Sequence, residues 1–235
     1  MSREGEPTDG REQALLRYVQ DNVTEGDLDG AIEAVDAFCY SRCVMMNVGE
    51  EKGAILEAAV RRASPQLTLE LGTYCGYSAL RIARALPPGG RVVSLERDPA
   101  RAELAQELIA HAGAADRVEV VLGDLGAGGE TLAELSRRGL GPRSVGFLFL
   151  DHAKDAYLRD LQLLLEAGLL APGARILADN LRIPGSPRYL AYIRAQEGKL
   201  FRTTEHHVHL EYQRILPDLL CESVYLGPED APSSA

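Results

Sequence analysis

Short apolar runs alternate with amphipathic segments along most of this chain, a pattern that predicts strands alternating with helices. The clearest case is the pair of apolar runs Phe147–Leu150 and Arg175–Ala178. Between them, leucines recur at helical spacing from Leu158 to Leu169, and a Pro-Gly turn follows. We therefore predict a βαβ unit, whose strands run parallel because the helix carries the chain back across the sheet.

The same pattern predicts the remaining elements of a doubly wound α/β fold. Further strands are predicted at Leu67–Leu71, Arg91–Leu95, Val118–Leu122, Thr203–Tyr212 and Leu219–Leu226. Further helices are predicted at Arg11–Gln20, Leu28–Arg42, Glu50–Arg62, around Ile82, and at Pro99–His111, Leu132–Arg137 and Pro187–Gln196. A short connection at Leu216, Pro217 and Asp218 makes the last two strands an antiparallel hairpin. We expect a mixed seven-stranded sheet.

Length and composition predict one domain at residues 11–227, with a disordered tail at 1–10 and a frayed tail at 228–235. Hydrophobic residues make up 46 % of the chain, enough for an ordinary core without a disulfide or a structural metal. The first two helices precede the sheet. They either cover its carboxyl edge as a lid or pack against an outer face, and periodicity does not distinguish these positions.

The net charge limits the molecules that this protein can bind, and the cysteines indicate the compartment in which it acts. With 25 basic and 35 acidic residues, the formal net charge of −10 opposes binding to nucleic acid. The four cysteines form no CxxC pair, the N-terminus lacks the apolar run of a signal peptide, and no segment has the length of a membrane span. We expect a cytoplasmic monomer or weak homodimer that acts on a small molecule, without a membrane partner.

Acidic residues follow both strands of the βαβ unit: Asp151 after the first, Asp179 and Asn180 after the second. Parallel strands end at one edge of the sheet, where open α/β folds bind ligands, so these side chains should converge. Two carboxylates and an amide oxygen suit Mg²⁺. Lys154 is then a candidate general base, because a nearby cation disfavours its charged form. The alternative is that the acids cap strand ends and the lysine is solvated, but their combination favours the functional interpretation.

A glycine-containing loop follows the strand Leu67–Leu71 and precedes a helix. Gly72 and Gly76 allow a sharp turn and the close approach of a ligand. Their spacing differs from the dinucleotide fingerprint, which has a third glycine, so pyrophosphate binding is less well supported. Glu96, at the end of the next strand, lies 20 residues after Gly76 and is placed to accept both hydroxyls of a ribose.

Five segments together resemble catechol O-methyltransferases. They are MNVGEEKG from Met46, ELGTYCGYSALRIARAL from Glu70, FLDHAKDAYL from Phe149, LADNLRIPG from Leu177 and LEY from Leu210. The resemblance runs in order from about Ala31 to Gly227. It implies a Rossmann-like methyltransferase fold and the Mg²⁺-dependent transfer of a methyl group from S-adenosylmethionine to one hydroxyl of a catechol.

The resemblance also implies a role for individual residues. Asp151, Asp179 and Asn180 would bind the metal, Lys154 would be the base, and Glu211 would accept the second catechol hydroxyl. Cofactor contacts are implied for Met46, Val48, Glu70, Gly72, Tyr74, Tyr77, Ser78, Glu96, Asp151 and His152. The substrate site would comprise Lys154, Asn180, Pro184 and Glu211.

The chain also departs from the family it resembles. Val44 and Ala153 stand where the mammalian enzymes carry tryptophans, and the chain has no tryptophan at all. After Gly123, the segment Asp124-Leu125-Gly126 stands in place of a Ser-Gln pair of the family, which puts the adenine contacts there in doubt. We expect the adenine pocket and the substrate clamp to be lined differently, with only Pro184 kept from the apolar gate.

Three other functions remain as alternatives. A metal-dependent O-methyltransferase for bulkier phenolic esters would share the acid and lysine motifs, but the MNVG segment and Glu211 favour the catechol branch. A nucleotide-binding dehydrogenase is disfavoured by the absent third glycine. A non-catalytic nucleotide-binding module would bind the cofactor without turnover.

Overall fold

The computed structural model describes residues 10–127 and 129–228, so tail residues 1–9 and 229–235 lie outside the described ranges. The helices are α1 (Arg11–Asn22), α2 (Leu28–Ser41), α3 (Gly49–Ala63), α4 (Tyr77–Ala85), α5 (Pro99–His111), α6 (Gly129–Arg137), α7 (Tyr157–Glu166) and α8 (Pro187–Ala195). The strands are β1 (Leu67–Leu71), β2 (Arg91–Glu96), β3 (Val118–Leu122), β4 (Val145–Leu150), β5 (Leu170–Ala178), β6 (Phe201–Leu210) and β7 (Gln213–Tyr225).

The strands form one seven-stranded sheet in the order β3-β2-β1-β4-β5-β7-β6 within the described chain. Strands β1 to β5 are mutually parallel, whereas β7 is antiparallel to both β5 and β6. The predicted mixed α/β sheet with an antiparallel C-terminal hairpin is therefore confirmed. The order reverses between β1 and β4, and such a switch point opens a crevice at the carboxyl ends of the strands.

Helices cover both faces of the sheet, and each face has its own apolar core. Helices α1 to α5 share one core with Phe147 and Phe149 of β4. The other core joins α6, α7 and α8 to Leu148 and Leu150 of the same strand. A strand buried on both faces is apolar throughout, which is why this run gave so clear a signal in the sequence.

The N-terminal helices pack on the first of these faces. Helix α1 lies against α2 and α5, and α2 lies against α4. Helix α1 also reaches the carboxyl edge of the sheet, because the hydroxyl of Tyr74 donates a hydrogen bond to Glu12 at 3.2 Å. The N-terminal helices therefore pack against an outer face of the sheet, and α1 also reaches its carboxyl edge. Each of the two alternatives left open by the sequence is thus correct in part.

Two turn predictions are wrong. The Pro172–Gly173 pair lies inside β5, where the register against β4 shifts and absorbs the irregular residues. Pro217 lies inside β7, opposite His209, and the hairpin turn falls earlier, at Glu211 and Tyr212. Strand β5 pairs only with β7 residues from Cys221 onward, so the missing N–H of Pro217 breaks no ladder on that side.

No helix in the described part of the chain is both long enough and apolar enough to cross a membrane.

Candidate active site

A cavity of about 870 Å³ opens at the carboxyl edge of the sheet, bounded by strand ends and by the β6–β7 hairpin. Its floor is formed by consecutive strand ends that bond to one another. The Asp151 amide donates to Leu71 O at 2.9 Å, and the Asp179 amide donates to Leu150 O at 3.0 Å. Polar residues after neighbouring strands are thereby brought to one place, as the sequence predicted. Predicted site residues in its wall are Met46, Gly72, Tyr74, Glu96, Asp151, His152, Lys154, Asn180, Pro184 and Glu211.

Five other predicted site residues do not line the cavity in the described part of the chain, because they are buried behind its wall. They are Val48, Glu70, Tyr77, Ser78 and Asp179. The hydroxyl of Tyr77 points away and donates to Asp36 at 2.7 Å. Val48 lies beside a second, smaller cavity of about 480 Å³ that Glu211 also lines.

The loop after β1 is shaped by its first glycine. Gly72 has a φ of +99°, and a Cβ there would lie 2.5 Å from the carbonyl oxygen of Asp151. Only glycine permits both this backbone conformation and this contact. The loop then turns so that Tyr74 N donates to Glu96 at 2.9 Å, while Asp98 N donates to the other oxygen of the same carboxylate at 3.0 Å. Glu96 is thus fixed in the cavity wall by one backbone amide on each carboxylate oxygen.

Glu70 is the most deeply buried acid beside this loop. Burial raises its pKa to about 8, against hydrogen bonds from Ser78 and Ser94 that lower it. Its Oε1 atom has no hydrogen-bond partner in the described structure. A buried carboxylate oxygen without a donor is costly, so this position suits a ligand that brings a positive charge or an N–H group.

Lys154 and Asp151 form a pair at the cavity wall. The ammonium lies 2.7 Å from Asp151 Oδ1 and donates to the hydroxyl of Tyr157 at 2.8 Å. Tyr157, which is fully buried, donates in turn to the carbonyl of Leu150 at 2.7 Å. The lysine is therefore held over the cavity by two fixed partners, and sequence reasoning identified the first but missed Tyr157.

Sequence reasoning also missed a buried lysine, Lys52, whose side chain is 1 % exposed. Its ammonium lies 2.7 Å from Asp179 and 3.2 Å from Asp218, and it also pairs closely with Glu211. Burial lowers the pKa of Lys52, but Asp179 and Glu211 outweigh that effect and raise it above its ordinary value. The lysine is therefore charged. Its position three residues into a helix gave no sign of burial in the sequence.

Asn180 connects this cluster to the cavity. Its amide nitrogen donates to Glu211 at 2.6 Å and to Asp218 at 2.9 Å. Its backbone has a φ of +53°, and its backbone N–H donates to Asp179 Oδ1 at 2.6 Å. An amide that donates through nitrogen leaves its oxygen for another partner.

The donor set fits a hard divalent cation. Burial raises the pKa of Asp179 to about 7, while Lys52 lowers it. Its Oδ2 atom is buried and has no partner in the described structure. The oxygens of Asp179, Glu211 and Asp218 lie within 4.8 Å of one another, but the ammonium of Lys52 already contacts all three. Among the three predicted metal ligands, the oxygens that Lys52 does not contact are those of Asp151 and Asn180 and the Oδ2 atom of Asp179. These are the oxygens that suit Mg²⁺.

Another part of the cavity wall is organised by Asp160, a further buried acid. It accepts from His152 Nε2 at 2.9 Å and from Arg159 Nε at 2.6 Å. His152 Nδ1 is buried without a partner in the described structure, so the ring still has one hydrogen-bonding position to offer. Asp124, which also lines the cavity, accepts from the Gly126 amide at 2.6 Å.

The wall around the acid cluster is open and apolar. Val44 and Met46 are 45 % and 65 % exposed at the mouth of the cavity, and Ala153, Ile183 and Pro184 complete this side. None of these side chains is aromatic, in keeping with the two absent tryptophans.

Comparison with known proteins identifies the class of protein. The O-methyltransferase family model matches residues 31–188. The probable O-methyltransferase Rv1703c of Mycobacterium tuberculosis is 51 % identical over 223 residues, covering 95 % of each chain. A solved O-methyltransferase from Bacillus cereus, in complex with SAH, superposes with a TM-score of 0.67 at 26 % identity, covering 90 % of this chain and 97 % of that one.

This chain therefore belongs to the O-methyltransferase family. Among its relatives is the catechol O-methyltransferase of Mus musculus, which is 41 % identical over 222 residues and covers 94 % of this chain and 81 % of that protein.

Proposed function

We propose that this protein transfers a methyl group from S-adenosylmethionine to one hydroxyl of a catechol, with Mg²⁺ bound. The observation that carries the proposal is the joint presence of Asp151, Lys154, Asn180 and Glu211 in one cavity, with Asp179 directly behind them. The family supports methyl transfer to oxygen, and the relatives named as catechol O-methyltransferases support the acceptor.

S-adenosylmethionine carries its methyl group on a sulfonium and would lie along the loop after β1. The partnerless Oε1 of Glu70 would receive the ammonium of its methionine part. Glu96, held by two backbone amides, would accept the ribose hydroxyls. His152, held by Asp160, would border the adenine, with Met46, Tyr74 and Asp124 as further walls of the cavity.

Asp151, Asp179 and Asn180 would hold Mg²⁺, and the partnerless Oδ2 of Asp179 supports this assignment. When bound, the metal lowers the pKa of an oxygen that it contacts. The three residues come from two adjacent strand ends joined by a backbone hydrogen bond, which gives the ligand set a rigid base.

The chain's own residues would then orient the acceptor and move one proton. Glu211 would accept a hydrogen bond from the hydroxyl that is not methylated. Lys154, neutral at the moment of reaction, would remove the proton of the reacting hydroxyl. The hydroxyl oxygen would form a bond to the methyl carbon as the carbon–sulfur bond breaks and leaves its electron pair on sulfur. Pro184 and its apolar neighbours would hold the ring so that oxygen, carbon and sulfur are nearly collinear.

A comparison of a catechol with the monophenol of the same shape tests this proposal. The monophenol leaves Glu211 and one metal position without a partner, and a site built for two hydroxyls rejects such an analogue strongly. We expect kcat/KM for the monophenol to be lower by about 10²-fold or more. Glu211→Gln should reduce this preference. Equal turnover of the two acceptors would contradict the proposal and favour an enzyme for other phenols.

We further propose a single catalytic domain, at residues 11–227, that acts in the cytoplasm as a monomer or weak homodimer. The four cysteines are free in the structure, which suits a reducing compartment. Light scattering of the purified chain checks the oligomeric state, and a stable higher oligomer would contradict it.

A further inference from the structure

Lys52 connects its own helix to three other parts of the fold. It projects from α3, while its acidic partners come from the end of β5 (Asp179), the hairpin turn (Glu211) and β7 (Asp218). The side chains of Lys52, Asp179 and Asp218 are almost fully buried, whereas Glu211 is 14 % exposed toward the cavity. Three carboxylates this close repel one another, so their arrangement depends on the cation between them.

We propose that Lys52 is a positioning residue that fixes Glu211 in the orientation required to bind the acceptor. The proposal rests on the proposed function, in which Glu211 receives the second hydroxyl. The ammonium and the Asn180 amide both hold the same oxygen of Glu211, Oε1, the amide at 2.6 Å. With Oε1 held by both donors, the other carboxylate oxygen, Oε2, is left for the acceptor.

The position of the ammonium is itself fixed by the packing of α3. At Gly53, the next residue, a Cβ would lie 2.3 Å from the guanidinium of Arg81, so α3 and α4 approach closely there. At Gly49, with a φ of +73°, a Cβ would lie 3.5 Å from the Cα of Glu211. The first turn of α3 thus abuts both the helix behind it and the residue that it positions.

The backbone of Glu211 is anchored separately. Tyr212, the next residue, has a φ of +55°, an uncommon conformation for a side chain of this size. Its hydroxyl donates to Asp36 of α2 at 2.9 Å, which ties the hairpin turn to the helical layer. With the backbone held in this way, the side-chain orientation of Glu211 is left to Lys52 and Asn180.

The test compares Lys52→Met with the double variant Lys52→Met/Asp218→Asn. The single variant leaves three carboxylates without their cation and can fail to fold, whereas the double variant removes one acid together with the ammonium. Arg62→Met is the matched control, since Arg62 also projects from α3 and pairs with a β7 acid, Glu222, at 2.8 Å, away from the cavity. Acceptor affinity is measured by calorimetry with a catechol, Mg²⁺ and S-adenosylhomocysteine, which permits no turnover.

We expect the double variant to fold, to bind the catechol about 10- to 100-fold more weakly and to raise its KM similarly, the range observed when a partner of a metal or substrate ligand is lost. The ratio of the two ring-methylated products should change, while the affinity for S-adenosylhomocysteine alone stays within about threefold. Arg62→Met should match the wild type in each respect.

Two outcomes overturn the proposal in distinguishable ways. If the double variant has wild-type catechol affinity and product ratio, Lys52 only balances charge, and the proposed function stands without it. If the wild-type protein neither binds nor methylates a catechol, the proposed function fails, and with it the role assigned to Lys52.

Discussion

At the scale of single residues, the site combines groups whose partners are already fixed with a buried carboxyl oxygen that has no partner in the described structure. Lys154 contacts Asp151 and Tyr157, Glu96 accepts two backbone amides, and Glu70 keeps one buried oxygen without a partner. Such preorganisation spares the protein from reordering polar groups during the reaction.

Removal of the Lys154 amine tests its role as the base. Lys154→Met keeps most of the length of the side chain but cannot take a proton, so we expect kcat to fall by roughly 10²-fold or more. Cofactor affinity should change little. Lys199→Met, at an exposed lysine between α8 and β6, is the control and should have wild-type kcat. A wild-type rate for Lys154→Met at neutral pH would show that another group accepts the proton.

The raised pKa of Glu70 predicts a pH dependence for cofactor binding. In the free protein burial raises its pKa to about 8, so the neutral form contributes stability that is complete below about 4.5 and is lost as the pH rises through 8. In the proposed complex the cofactor ammonium pairs with the carboxylate form of Glu70, so the affinity for S-adenosylmethionine should rise with pH up to about 8.

Glu70→Gln provides the comparison. It should weaken cofactor binding about tenfold or more, as expected for a charge-assisted hydrogen bond, and should flatten both pH profiles. Between about pH 5 and 9, calorimetry would measure the profile of cofactor affinity and thermal unfolding the profile of stability. An unchanged affinity would mean that the partnerless oxygen of Glu70 faces no ligand.

At the scale of helices and strands, features that depend on neighbouring residues could be predicted from the sequence. Features that depend on residues distant in the sequence could not. Asp151 and Asp179 could be placed because an acid after a buried apolar strand marks the strand's carboxyl end. Lys52 could not, because its burial depends on three acids that are distant in sequence. The turn predicted at Pro217 was wrong for a similar reason. A proline is tolerated at this point of β7 because β5 pairs only with later residues of the strand.

The apolar wall formed by Val44, Ala153 and their neighbours leads to a further prediction about product selectivity. Val44 and Ala153 leave the acceptor ring without an aromatic clamp, so an asymmetric catechol should give a mixture of both ring-methylated isomers. Val44→Trp or Ala153→Trp should add an aromatic contact and move the ratio toward one isomer. Chromatographic product analysis measures this ratio, and a single isomer from the wild type would show that other side chains orient the ring.

At the scale of the whole molecule, the fold explains why these residues meet. Two helical layers bury a five-stranded parallel core, and the strand order reverses at β1 and β4, directly beneath the cavity. The antiparallel hairpin then brings Glu211 back over that edge from a distant part of the sequence. The parallel strands could be predicted because each is marked by a short apolar run in the sequence. The buried charge network could not be predicted, because its residues are distant from one another in the sequence.

We infer that this cavity methylates a catechol with the help of a divalent cation. The most direct measurement is mass spectrometry of a simple catechol incubated with the protein and S-adenosylmethionine, in Mg²⁺ and in excess chelator. We predict methylated catechol in Mg²⁺, none in chelator, full recovery when Mg²⁺ is restored, and no recovery for Asp179→Ala. Undiminished product in excess chelator, or no product in Mg²⁺, would contradict the account.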